Sequence, residues 1–186
     1  MSTKYKFRDQ NQLYFVTFAV VNWIDLFVRN EYRQLIIDSW EYCHEHKGLE
    51  IYSYCMMSSH IHMIIGSNKD KLEDIMRDMK RHTSETLKEA IKSHPSESRR
   101  EWILWMMERA GKQNGNNIRF QLWRQDNHPI ELKDSKHIHD TLNYIHNNPV
   151  VAGIVEKAED YLYSSARNYY GMKGVMDIIQ LDPFLK

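Results

Sequence analysis

His60 and His62 flank Ile61 in a His-Ile-His triplet, and far along the chain Tyr144 and Asn148 stand in an i, i+4 pair. On a β-strand, residues two apart point to the same face, so both imidazoles could hold one metal ion. On a helix, residues four apart share a face, so a phenol and an amide could act together. A divalent ion beside a phosphodiester neutralises the nonbridging oxygens and polarises phosphorus, and a tyrosine can attack it to give a covalent intermediate. Asn148 could offer its carbonyl oxygen to the same ion. Histidine nitrogen suits Mn²⁺ better than Mg²⁺. Together the two pairs are enough to cut a phosphodiester.

Each residue also has a plainer reading. A His-x-His on a strand can be two polar residues on a solvated face, because ligation needs converging partners. Tyr144 fits a packing role on a half-buried helix. Asn148 before Pro149 is ordinary helix-end chemistry. Arg77, Lys80 and Arg81 could be a solvated helix face rather than a nucleic-acid contact. Trp102 and Trp105 could be core rather than a stacking platform. His128, His137, His139 and His146 suggest no specific role.

The elements that must position these residues follow from periodicity. Leu13–Val21 is aromatic and β-branched on both faces, which predicts a buried central strand. Asn30 is expected to cap a helix carrying Leu35, Ile36, Trp40 and Cys43 at helical spacing, and Gly48 to end it. Ile51–Met57 and His60–Gly66 read as strands joined around Ser58-Ser59. Asp70, with Glu73 three residues on, is expected to start a second helix buried through Leu72, Ile75, Met76, Met79 and Leu87. Residues 94–117 read as an insertion: a short helix, then the loop Gly111–Asn117. Ile118–Arg124 predicts the last core strand, followed by an extended segment over Asn127–Leu132. Asp134 or Ser135 should cap a third helix with Ile138, Leu142 and Ile145 inward, ending at Asn147-Asn148-Pro149. A tail over residues 150–186 has a short helical stretch around Ser165–Tyr170. This order predicts an α+β, ferredoxin-like antiparallel sheet with helices on one face. Ile61, Met63 and Ile65 would then lie under the helices, and His60 and His62 on the other face.

Composition sets broad limits. At 186 residues the chain is expected to be one domain, and 42% hydrophobic residues suffice for a core. Twenty-five basic and 25 acidic residues cancel, so any basic surface is local. Two cysteines, Cys43 and Cys55, have no zinc or disulfide spacing, which fits a reducing compartment. The apolar run Leu13–Trp23 is shorter than the roughly 20 residues of a membrane span. A soluble, cytoplasmic protein without a membrane partner is the expectation.

The stretch SYCMMSSHIHMII, then YIHNNPVVAGIV and DYLYSSARNYY, resembles the single-tyrosine HUH transposases and, among them, the REP-associated tyrosine transposases. The resemblance runs from the first strand to about Tyr170. It implies an HUH-type ferredoxin-like fold, cleavage and joining of single-stranded or hairpin DNA, and a divalent metal, Mg²⁺ or Mn²⁺. It implies His60 and His62 as metal ligands with Asn148 as the third, and Tyr144 as the nucleophile that becomes linked to a 5′-phosphate. It further implies a bacterial, nucleoid-associated protein acting as monomer or homodimer. Lys4, Lys6 and Arg8, with Arg77, Lys80 and Arg81, would form the DNA-binding patch, and Trp123 would stack a base. A hairpin-binding protein without turnover, or an unrelated protein with a chance His-x-His, are the competing readings.

Overall fold

The computed structural model describes residues 7–113, 120–125 and 129–181. Lys4 and Lys6 lie outside these, as do parts of the expected Gly111–Asn117 loop, of the expected strand at 118–124 and of the extended segment at 127–132. Four strands, β1 (Leu13–Ala19), β2 (Leu49–Met56), β3 (His60–Ser67) and β4 (Ile130–Leu132), form one sheet in the order β2-β3-β1-β4. All neighbours are antiparallel, and β1 and β3 occupy the centre. This is the expected ferredoxin-like arrangement.

The helices α1 (Asn30–Lys47) and α2 (Leu72–Ser93) cover one face, burying Ile36, Trp40, Ile75 and Met79 against Tyr14, Val16, Ile61, Met63 and Ile65. The period of two in β3 therefore sends His60, His62 and Ile64 to the opposite face, as expected. That face is only partly open. The helix α4 (Ser135–Val151) lies across it, with Ile145 in a second apolar cluster beside Cys55, Ile64 and Leu132. A β-bulge between Ile51 and Ser53 switches the alternation of β2. Ile51 thus packs under the helices while Ser53 faces α4.

Several boundaries differ from expectation for local physical reasons. The expected last core strand is not a regular strand over its described residues. Leu122 and Arg124 bond to Val21 and Ala19 at 2.8 Å, just where β1 gives way to a 3₁₀ turn at Val21–Trp23, leaving only a Val20–Trp123 bridge. The fourth strand comes instead from the extended segment, at Ile130–Leu132. Asn30 is the first helical residue of α1 rather than its cap, and its side chain accepts from Arg33 and Tyr163. Gly48 ends α1 in the left-handed conformation as expected, with φ of 72°. Asp70 does not cap α2. The Gln10 side chain takes that role, accepting from the Leu72 backbone N–H at 2.9 Å and donating to Glu73 at 2.8 Å. It is a capping box closed across 62 residues of sequence.

Asp134 caps α4 by accepting from His137 N–H at 2.8 Å. The helix then runs past Pro149 to Val151, with the proline's missing N–H falling two residues before the end. Gly153, at φ of 69°, closes it. The inserted α3 (Arg100–Lys112) is extra core on one side, burying Ile103 and Met107, while Trp102 and Trp105 stay exposed. The tail adds to the β2 edge through Met56 N–H to Tyr163 O at 2.9 Å and Ser165 N–H to Tyr54 O at 2.9 Å. The short helix α5 is Ala166–Tyr169. No helix among the described residues is long and apolar enough to cross a membrane.

Candidate nuclease site

His60 and His62 sit side by side on β3, ring centroids 4.8 Å apart. Each Nδ1 faces a hydroxyl: His62 to Thr17 Oγ1 at 2.7 Å, and His60 to Ser59 Oγ at 3.2 Å. The β1–β3 register dictates the first contact, since Thr17 is directly opposite His62. If each Nδ1–H donates to its hydroxyl, both Nε2 lone pairs are left to take a ligand. Burial keeps both rings neutral. It lowers His60, and it pushes His62 down to about 3 with help from its neighbour His60. Neutral imidazoles in adjacent positions, each oriented through its second nitrogen, could serve as two ligands of a divalent cation.

Tyr144 reaches this pair from α4. Its ring meets His62 at 5.3 Å and 67° between planes, and Phe15 at 5.9 Å, nearly edge-on. Phe15 stacks on His62 in turn, at 5.6 Å. The tyrosine is 52% exposed, so a substrate can approach it. Asn148, one turn further along, is half-buried, and its amide makes no hydrogen bond among the described residues. No group of three or more His, Cys, Asp or Glu side chains could hold a metal among the described residues.

The rotation of α4 is fixed from behind. His146 is 7% exposed, and its Nε2 lies 2.9 Å from Ser165 Oγ and 3.3 Å from Ser53 Oγ. Burial pushes its pKa down to about 4, so it stays neutral and shares a proton network with the two serines. Ser165 also accepts from the Tyr54 backbone N–H at 2.9 Å. Thus Ser165 of the YSS segment joins tail, β2 and α4 at one point. A His in a run of polar helix residues gives no hint of this in sequence.

The expected DNA-contacting residues are not brought together. Trp123 is 5% exposed, stacked against Phe27 and bonded through Nε1 to Thr83 Oγ1 at 3.0 Å. It is core and cannot stack a base, because Phe18 of β1 and Phe27 pack on its ring while Thr83 of α2 takes its N–H. Arg77 and Arg81 project from α2, on the far side of the sheet from the histidines, and pair with Asp74 and Asp78. Lys80 donates to the Arg124 carbonyl at 2.8 Å. Arg8 is exposed in the segment before β1.

Two residues at the site escaped the sequence reading. Thr17 is the one hydroxyl on its face of β1, and only the pairing register reveals its partner. Trp23 is 54% exposed with its ring edge-on to His60 at 5.3 Å. Its place depends on a backbone conformation that no residue type in that stretch announces.

The family model for IS200-like transposases matches residues 12–108, just over half of the chain. His60 and His62 fall within the match and Tyr144 beyond it. No curated protein matches the chain. Among solved structures, one of a REP-associated tyrosine transposase bound to a REP hairpin is similar at 15% identity, with a TM-score of 0.66 over 98% of this chain and 96% of that one. A Deinococcus radiodurans R1 protein described as a candidate transposase aligns at 15% identity and TM-score 0.44, over 79% of this chain and 97% of that one.

Proposed function

This chain belongs to the IS200-like transposase family, and from that premise we propose that it cuts and rejoins single-stranded DNA at hairpins, with Tyr144 as nucleophile. The observation that carries the reading is the meeting of Tyr144 with His62, and of His62 with His60, across the sheet and α4. Two residue types with complementary chemistry, histidine and tyrosine, converge from elements far apart in sequence. Packing alone does not demand that an exposed phenol sit on an oriented, neutral imidazole.

His60 and His62, with the Asn148 amide as the third group, would hold a divalent ion, Mn²⁺ or Mg²⁺. When bound, that ion supplies charge neutralisation and polarisation at the scissile phosphate. Thr17 and Ser59 keep the protons of the two imidazoles on Nδ1. Tyr144 Oη attacks phosphorus, its proton passing to the solvent that its exposure admits. The phosphorus–O3′ bond breaks, the 3′-hydroxyl leaves, and the 5′ phosphate stays on the tyrosine. Attack by a 3′-hydroxyl on that linkage reverses the step and joins strands without a nucleotide cofactor. His146 and Ser165 hold α4, and with it Tyr144, against the histidine strand. The hairpin is the substrate favoured here because the similar structure of the REP-associated transposase holds one.

The test is covalent trapping. Labelled single-stranded stem-loops from the flanks of the protein's own gene are incubated with wild type or Tyr144→Phe, in Mn²⁺ or in EDTA, and run on a denaturing gel. A metal-dependent protein–DNA adduct in wild type alone is expected. An adduct in both proteins would reject Tyr144, and none in either would reject the cleavage chemistry for those stem-loops.

A further inference from the structure

Asn22 and Trp23 are the two residues other than glycine with positive φ among those described, at 56° and 55°. Asparagine tolerates this region, but for a tryptophan the conformation costs on the order of 1–2 kcal/mol. The fold holds the pair there from both sides. Val21 N–H bonds to Leu122 O at 2.8 Å, Trp23 N–H bonds to Val20 O at 3.1 Å, and Asp25 takes Arg99 Nη1 at 2.7 Å. The strain is not repaid by burial, since the indole is left 54% exposed. The ring stands beside His60, the more accessible of the two histidines, and the Arg124 guanidinium lies 5.4 Å from its centroid. Arg124 has no carboxylate partner among the described residues. An exposed indole, a cation and a candidate metal ligand are thus held at one corner of the sheet, where Trp123 is sunk in the core.

We propose that Trp23, backed by Arg124, is the stacking platform for one unpaired nucleobase next to the scissile phosphate. This rests on the reading of the chain as a single-strand nuclease. A base has a face of the size and polarisability that an exposed indole accepts, and such stacking tolerates sequence. Arg124 adds attraction for the phosphate joined to that base. Stacking next to His60 sets the distance from the held base to Tyr144, and so selects which phosphate the tyrosine reaches. A ring serving only to prop His60 would not need left-handed backbone, for a buried Leu or Phe would do so without strain.

The experiment uses full-length protein carrying Tyr144→Phe, which binds without turnover, and stem-loop DNA from the gene's flanks with a single-stranded extension. Each extension nucleotide is replaced in turn by an abasic one, and affinity is read by fluorescence anisotropy in EDTA. One abasic position is expected to weaken binding roughly 5- to 140-fold, the range that stacking of one base corresponds to. Trp23→Ala in the same background should lose that factor on intact DNA and lose nothing more at that position. Trp23→Phe should recover part of it, and Arg124→Ala should lower the salt slope by about one. Trp23→Ala with unchanged affinity and an unchanged abasic profile would overturn the platform. An adduct from Tyr144-intact protein in that case leaves the nuclease standing while the platform falls. Absence of both adduct and binding would remove the nuclease reading and the platform with it. Trp23 is exposed, so Trp23→Ala should fold as the parent does, and Trp23→Gly, which removes the Cβ that strains left-handed backbone, should unfold no earlier than the parent; an earlier transition in Trp23→Gly would count against strain at this residue.

Discussion

Replacing Thr17 by valine tests whether the histidines are built as ligands. Thr17 Oγ1 lies 2.7 Å from His62 Nδ1, and His62 is 5% exposed, so no water can readily take the hydroxyl's place. Valine has nearly the same shape, so no cavity opens. What is lost is an acceptor for Nδ1–H. Leaving a buried donor unpaired costs about 1–3 kcal/mol, and the imidazole can escape that cost by moving its proton to Nε2. That tautomer has no lone pair on Nε2, the nitrogen that would face a metal. Loss of an orienting partner behind a histidine ligand weakens metal binding about 10- to 100-fold, which agrees with that free-energy range at roughly 1.4 kcal/mol per tenfold. The assay follows adduct formation against Mn²⁺ concentration, with Mn²⁺ binding to the same proteins measured by paramagnetic resonance. Thr17→Val should raise the half-saturating Mn²⁺ by that factor while the rate at saturation changes little, and Thr17→Ser should stay close to wild type. A folded Thr17→Val protein with unshifted Mn²⁺ dependence would refute the orienting role, and with it the argument that β3 presents two tuned ligands.

Metal-free stability should fall in acid through the two deeply buried histidines. His146 is held at about 4 and His62 at about 3, both below the ordinary 6.5, so each contributes stability fully above pH 6.5 that is lost as pH falls toward its folded value. Between pH 6.5 and 5 the loss is about 2 kcal/mol for each group, from about 1.4 kcal/mol per pH unit; urea unfolding in EDTA measures it, and a flat profile over that window would contradict both assignments. Glu97 does not enter that window, because burial would raise its pKa but hydrogen bonds from Arg29, from the Arg99 backbone and from the Arg99 side chain hold it at about 2. Glu97→Ala leaves Arg29 without a carboxylate and Arg99 with Asp25 alone where the insertion braces the loop after Trp23, and should destabilise by about 2–4 kcal/mol in the same assay. A loss under 1 kcal/mol would mean that the insertion is not anchored through this carboxylate.

The parts of the site that sequence could show are those governed by short periods. His60 and His62 share a face because a strand alternates, and Ile61, Met63 and Ile65 point the other way for the same reason. Ile138, Leu142 and Ile145 are inward on α4 because a helix repeats every 3.6 residues. What sequence could not show depends on partners distant along the chain. Gln10 replaces Asp70 as the cap of α2 because the N-terminal segment happens to pass that helix end. Trp123 is core although its alternation permits either face, since among the described residues the segment meets the end of β1 in a single bridge at Val20 and then packs against α2. Trp23 is exposed because its backbone is left-handed. His146 gains its place only when Ser53 is turned toward α4 by the bulge and Ser165 arrives from the tail. The basic residues of α2 show the limit of counting charges: Asp74 and Asp78, at helical spacing from Arg77 and Arg81, pair with two of the three cations that suggest a patch.

The most direct test of the account is to identify the residue that carries DNA. Wild-type protein is reacted with stem-loop DNA in Mn²⁺, digested with nuclease and protease, and the nucleotide-bearing peptide is sequenced by mass spectrometry. Eleven tyrosines compete for the modification. A nucleotide is expected on Tyr144 alone, linked through its 5′ phosphate, and none when His60 and His62 are both changed to alanine. A nucleotide on any other residue, or one that persists on Tyr144 without the two histidines, would contradict that expectation.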